Sequence, residues 1–308
     1  MNFFKNIYMY FFHKDKRKKV CIRDKKDKEI FYIIRFNKKE GLLSMFFKTM
    51  AYVEFAEEKG YIPIIDMKNY PTMYTQNENN GWENFFSQPN NLDIDLKEIY
   101  TNKNYIVSGF EDNPNVFINS SLFGGYFASN YFNNIQKKHF IESHFMLNGE
   151  IYKMIEEEMK QIDIKNKLGV FIRGTDYTSL KPKSHPIQPT FDVLKNKIDD
   201  FIFKYREIDG IYLVTEDLKL YQQFKEAYGD FITMSYESNL IEYKGGQLLY
   251  STLKNKDKVL QGREYLVRIM LLSKCRYLIT SITNGSVCAL AFNGDQYKDT
   301  YIFDLGLY

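Results

Sequence analysis

Apolar positions in this chain fall into short dense runs separated by stretches of helical spacing. IFYIIRF (Ile30–Phe36) is almost unbroken apolar and predicts a buried strand. Leu43, Phe46, Phe47, Met50, Ala51, Val53 and Phe55 then recur at helical spacing, and the pattern stops at Gly60. YIPIID (Tyr61–Asp66) predicts a second strand, so the segment reads as a βαβ unit with Gly41 at its strand-to-helix turn. NYIVSG (Asn104–Gly109) predicts another strand. Residues from about 130 to 163 are mostly helical in pattern, with EMKQIDIKNK as a polar exit.

Alternation is cleaner in the second half. KLGVFIR, DGIYLVT, DFITMS, CRYLIT and TYIFDL read as strands. PTFDVLKNKIDDFIFKY, DLKLYQQFKEAY, REYLVRIMLLSKC and SVCALAF read as the intervening helices, with Pro189 near the first turn of its helix. Repeated βα alternation predicts parallel sheets covered on both faces. The expected fold class is α/β: two Rossmann-like βα domains facing across a cleft. The polar exit places the boundary between an N-terminal domain, 1–165, and a C-terminal domain, 166–308.

Composition narrows the partners. The chain has 308 residues, 44% hydrophobic and 26% charged, which suits two ordinary cores. A net charge of +3 is too small for a nucleic-acid protein. Cys21, Cys275 and Cys288 are odd in number and far apart; they make neither a disulfide framework nor a metal spacing, which points to a reducing, cytoplasmic setting. The four histidines show no zinc spacing either. No apolar run is long enough to cross a bilayer. MNFFKNIYMYFF followed by HKDKRKK lacks a cleavage site, so a signal peptide is not expected. Residues 1–19 read either as a first helix with a basic tail or as a peripheral membrane contact.

Three polar turns stand at carboxyl ends of predicted strands, where ligands bind in open α/β sheets. In FIRGTDY, Arg173 emerges from an apolar strand and offers a fork suited to phosphate oxygens. Gly174 and Thr175 permit a tight turn, and Asp176 can orient the arginine or accept from a sugar hydroxyl. The plainer alternative is a surface Arg–Asp pair. In YLVTED, Glu216 and Asp217 can hold a ribose or base edge; alternatively they favour the helix dipole, with Thr215 as N-cap. In YLITSITNGSVCALAF, Ser281, Thr283, Asn284, Gly285 and Ser286 lead into a helix N-terminus, which makes an anion site or an ordinary cap. No Walker A loop, nucleophile elbow or dinucleotide fingerprint is present.

At these residues the sequence resembles the fucosyltransferase superfamily. The α-1,6 group carries an arginine–arginine–Thr–Asp–Lys motif at a strand end, followed by His-Pro-Ile. Here Arg173, Thr175 and Asp176 fall in register, and His185, Pro186 and Ile187 follow. YLVTEDLKLYQQFK is similar to the group's YLATDDPSLLKEAK region, and LLS…SVC to its FLS…QVC region. The first half is similar only as G-L, a helix and G-Y-I-P-I-I-D.

The resemblance implies a GT-B-like fold, with 1–165 as the acceptor-side domain and 166–308 as the nucleotide-sugar donor domain, and inverting transfer from a GDP-sugar, with fucose first, to a glycan or glycolipid acceptor in surface polysaccharide or glycoconjugate synthesis. It implies no metal and no cofactor. Carried over, Arg173 binds the diphosphate and assists its departure. The donor-binding set is then Gly41, Arg173, Thr175, His185, Glu216, Asp217, Arg268, Thr283, Asn284, Gly285 and Ser286. The base for the acceptor hydroxyl comes from Asp66, Glu83, Asp176 or Glu216, with Asp66 and Asp176 taken first; capping its loop is the other role for Asp66. The chain also departs from the group. Gly174 replaces the second arginine, Phe171 a histidine, Lys181 the proposed acid, and Arg268 the aspartate that reads guanine, with Glu264 one turn away. Lys181 and His185 are candidates for phosphate or for an acidic acceptor. A second reading follows from these departures: a non-catalytic nucleotide-sugar or glycan-binding protein of the same fold.

Overall fold

The first sheet contains β1 (Val20–Cys21), β2 (Ile30–Ile34), β3 (Ile62–Ile65) and β4 (Asn104–Val107), in the order β1-β4-β2-β3. In this computed structural model, residues 19–24, 28–36, 40–110, 116–124, 132–245 and 257–308 are described. β2 is apolar throughout because it is central: it pairs in parallel with β3 on one side and β4 on the other. Tyr32 and Ile34 point to one core, Phe31 and Ile33 to another. Helix α1 (Leu42–Glu58) links β2 to β3. Thirteen of its 17 residues are buried, so it is a core helix and not a one-faced surface helix. Gly60, at φ +67°, ends it in the left-handed conformation expected at that place. β1, which the pattern does not predict, adds an antiparallel edge through Val20↔Ile106.

Helices α2 (Leu96–Asn102), α3 (Val116–Asn119), α4 (Asn134–His144) and α5 (Gly149–Gln161) follow. The long helical stretch of the sequence is thus broken at Phe145–Asn148, where Asn148 caps α5 through Glu150 N at 2.9 Å.

The second sheet is β5 (Leu168–Phe171), β6 (Ile211–Val214), β7 (Ile232–Thr233), β8 (Tyr277–Ser281) and β9 (Asp299–Phe303). All strands are parallel, in the order β7-β6-β5-β8-β9. The chain runs outward from β5 to β7 and then restarts at β8 on the other side. The carboxyl ends of β5 and β8 therefore border the topological switch point. The crossovers are α6 (Thr175–Leu180) and α7 (Phe191–Lys204), α8 (Leu218–Tyr228), α9 (Lys258–Leu272) and α10 (Asn284–Asn293). Alternation explains the two-sided burial. Leu168, Val170, Ile172, Ile211, Leu213, Tyr277 and Ile279 pack with α7, whereas Phe171, Tyr212, Val214 and Leu278 face α9 and α10. Thr190 caps α7, so Pro189 lies just before the cap and not in the first turn.

The two sheets share one helix layer. α4 packs on α10, α5 on α9, and α1 on α10. The Phe46 and Phe292 rings meet at 5.4 Å, and Phe46 stacks on Trp82. No helix among the described residues is long and apolar enough to cross a membrane.

Candidate functional site

Arg173 leaves β5 at the switch point, two residues after Phe171. Its Nη2 donates to Asp176 Oδ1 at 3.0 Å. Its Nε lies 3.6 Å from Glu216 Oε2, too far for a hydrogen bond, and is buried with no acceptor. The Tyr177 ring lies 4.8 Å from the guanidinium carbon. Burial works against the charge, but Glu216, Tyr177, Asp176 and Tyr265 more than offset it, so the guanidinium pKa rises. With 18% of its side chain exposed, Arg173 is a held cation at the edge of solvent.

The turn after it is fixed by Asp217. Thr175 N donates to Asp217 Oδ2 at 2.8 Å, and Asp217 Oδ1 accepts from Lys219 N and Leu220 N. Asp217 is thus the N-cap of α8 and the latch of the arginine turn at once. Thr215, expected as the cap, instead accepts from Asp217 N at 3.2 Å. Gly174 is required here: a Cβ would stand 2.2 Å from Asp217 Oδ2. That contact accounts for glycine where the resemblance has a second arginine. Thr175 is buried at φ +49°, an unusual conformation for a β-branched residue and a form of stored strain.

The third turn is largely occupied with itself. Thr283 Oγ1 accepts from Ser286 N at 3.2 Å and lies 2.9 Å from Ser286 Oγ. Ser286 Oγ also meets Thr280 Oγ1 and Ser281 O, while Ser281 Oγ donates to Gln188 Oε1. Thr283 and Ser286 therefore brace the turn. A Cβ on Gly285 would lie 2.4 Å from the Phe171 ring and 2.7 Å from the Tyr265 hydroxyl. Tyr265 consequently sits at the mouth of α10, near Arg173.

From the first half, the Tyr74 hydroxyl accepts from Leu42 N at 3.1 Å, at the start of α1 beside Gly41. Burial above all pushes this hydroxyl up to about 12, the Leu42 bond works against the rise, and Glu216 adds to it. Gly41 thus adjoins the residue that binds the Tyr74 hydroxyl, and no atom stands within 4 Å of where a Gly41 Cβ would be. His185 closes the outer side. Its ring stands edge-on to Tyr177 at 5.2 Å, its Nδ1 bonds Lys183 O, and Tyr308 N bonds its carbonyl. Lys181 ends α6 exposed at φ +47°.

Two of the proposed bases stand elsewhere. Asp66 is fully buried: Oδ1 accepts from Lys68 N and Asn69 N, Oδ2 from Asn69 Nδ2 and Tyr100 OH. It caps the loop after β3, with no oxygen turned to an acceptor hydroxyl. Glu83 accepts from Gln88 and lines a polar cavity of about 410 Å³ with Lys68, Glu78 and Asp95. Arg268, on α9, is 3% exposed and donates through Nη1 to Thr215 O at 3.2 Å. Tyr74, Tyr177 and Tyr265 were missed from sequence. In a chain with 25 tyrosines only their spacing could have singled them out, such as Tyr265 one turn before Arg268.

No protein-family profile matches the chain, and no curated protein matches it. Solved structures do. The fucosyltransferase NodZ from Bradyrhizobium aligns with a TM-score of 0.50 at 14% identity, covering 91% of this chain and 96% of that one. A variant of Arabidopsis thaliana FUT1 in complex with GDP aligns at 0.52 and 9% identity, covering 91% of this chain and 71% of its own. The protein has the GT-B-like α/β fold of these fucosyltransferases.

Proposed function

We propose that this protein is a glycosyltransferase that moves a sugar from a nucleoside diphosphate, GDP-fucose first, to a glycan or glycolipid acceptor. The observation that carries the reading is the Arg173 guanidinium. It stands at the switch point with a buried Nε–H that nothing accepts. A diphosphate oxygen satisfies that donor and displaces the long contact to Glu216. As the glycosidic bond breaks, charge grows on the leaving diphosphate, and a cation already fixed there stabilises the transition state more than the ground state. The backbone at the start of α10 adds oriented donors for the same anion. A fixed guanidinium at the leaving group can do the work of a metal ion there, and inversion is what the resemblance implies. Asp176 keeps the guanidinium oriented. Glu216, at 15% exposure beside it, is our candidate among the four carboxylates to accept from a hydroxyl. The neighbour solved with GDP supports the nucleotide class.

One observation favours the second reading, binding without turnover. Asp217 fills the place of the second cation, leaving one guanidinium among three carboxylates. The experiment that separates the readings is release of sugar from a donor that stabilises the protein on heating. For the enzyme, Arg173→Ala should lower release by about 10²-fold or more, with the fold retained by circular dichroism. Unchanged release in that variant would refute the assignment. A peripheral membrane contact through residues 1–19 rests on composition, and all of them but Lys19 lie outside the described residues. Cytoplasmic location is likewise proposed from sequence.

A further inference from the structure

None of the four carboxylates stands where an attacking hydroxyl would arrive. Asp66 and Glu83 lie elsewhere. Asp176 is buried and accepts from Arg173 Nη2 and Thr175 Oγ1. Glu216 Oε2 lies 3.6 Å from Arg173 Nε, the donor given above to the diphosphate. Where a sugar carbon is inverted, the base and the group serving the leaving oxygen stand on opposite sides of the ring, about 6.5–9.5 Å apart. Glu216 is too close to the guanidinium for that part and is left with the donor's own hydroxyls.

His185 stands one ring further out. It meets Tyr177 edge-on at 5.2 Å, and Tyr177 lies 4.8 Å from the Arg173 guanidinium carbon. Its tautomer is fixed: Nδ1 lies 3.1 Å from Lys183 O, and a carbonyl only accepts, so Nδ1 carries the proton. Nε2 of the neutral ring is then a lone pair, and no group among the described residues bonds it. The loop that carries the ring is pinned. Ser184 N donates to Tyr308 O, Tyr308 N to His185 O and Ile187 N to Gly306 O, an antiparallel pairing with the segment after β9. Gln188 fastens the far end of the loop, donating to Pro186 O at 3.2 Å and accepting from Ser281 Oγ at the end of β8.

We infer that His185 Nε2 is the general base of the transfer and takes the proton of the attacking hydroxyl. This rests on the inverting nucleotide-sugar reading of the site. The acceptor oxygen bonds to the anomeric carbon as its proton passes to Nε2. The bond from that carbon to the diphosphate oxygen breaks, and its electron pair leaves with the diphosphate beside Arg173. The imidazolium keeps its Nδ1–H bond to Lys183 O, which favours the charged ring, and then returns the Nε2 proton to water.

The test is release of sugar from GDP-fucose by the full chain, with water as the acceptor, measured across pH. Wild-type kcat should fall with unit slope on the acidic side, as the base takes up a proton. His185→Asn keeps a donor for Lys183 O but has no base. Its kcat should fall about 10²-fold or more, the acidic limb should vanish, and KM and the thermal shift with GDP should not change. In His185→Ala, added imidazole should restore release, which a merely structural histidine would not allow. An unchanged kcat in His185→Asn, a rise in KM alone, or an acidic limb that survives the substitution would each overturn the assignment. If Arg173→Ala lowers release and His185→Asn does not, only this inference fails. Stabilisation by GDP without release from the wild type leaves no transfer for a base to serve and overturns it too. If GDP neither stabilises the protein nor has its fucose released, the nucleotide-sugar reading fails with it.

Discussion

Gly174 and Asp217 exclude each other, and the size of that exclusion can be worked out. An alanine Cβ at 174 would lie 2.2 Å from Asp217 Oδ2 and 2.6 Å from its Cβ, so swinging the carboxylate alone gives no relief. The whole Asp217 side chain must leave. The departure removes the cap of α8, about 1 kcal/mol, and strands the Thr175 N–H, about 1–3 kcal/mol. Gly174→Ala should therefore destabilise by about 2–4 kcal/mol, by the same mechanisms. Asp217→Gly removes the obstructing atoms and by itself strands the Thr175 N–H, about 1–3 kcal/mol, with a cap loss of only about a few tenths of a kcal/mol. Any cost that alanine imposes on the turn is common to both backgrounds and cancels in a double-mutant cycle. Urea denaturation of the four proteins should give a coupling of about 2 kcal/mol, with the double variant hardly worse than Asp217→Gly. Additivity within about 0.5 kcal/mol would refute the idea that one carboxylate holds both the cap and the arginine turn.

Other outcomes follow from the same geometry. Gly285→Ala should push the Phe171 ring and the Tyr265 hydroxyl off their places, costing about 1–3 kcal/mol and weakening nucleoside diphosphate binding, as read by melting and titration; unchanged affinity would show that this mouth does not meet the ligand. Glu207, bonded to Lys298 and to Tyr277 OH, has its carboxyl lowered to about 2 by those hydrogen bonds. Its folded pKa is below the unfolded one, so its contribution is complete above about pH 4.5 and is lost as pH falls towards 2. Glu207→Gln should flatten that part of the acid-unfolding curve, and an identical curve would remove the assignment.

The legible parts of this molecule are those whose burial is two-sided. β5, β6 and β8 carry apolar residues on both faces, so the sequence marks them and places Arg173 at a strand end. β1 and β7 are two-residue edge strands with one neighbour each, and pairing of that kind leaves little trace in composition. DFITMS reads longer than the strand it makes for this reason. α6 has no apolar period; it forms where Thr175 N is drawn to a carboxylate 42 residues away. The same remoteness hid the cap. Thr215, Glu216 and Asp217 are all short polar residues before a helix, and only the contact with Thr175 selects Asp217. The two roles offered for Asp66, base and loop cap, stay open in sequence because a strand-end carboxylate looks the same whether it faces a cleft or its own loop. Its partners Tyr100 and Asn69 decide the matter.

The contact of Phe46 with Phe292 has a consequence for how the molecule comes apart. Pulling the halves away from one another would wet a continuous aromatic surface that includes Phe86 and Trp82. Each half should then be less stable alone than joined, and denaturation should proceed in a single cooperative step. A severed C-terminal fragment would carry α10 with its apolar back bare, a surface that drives self-association.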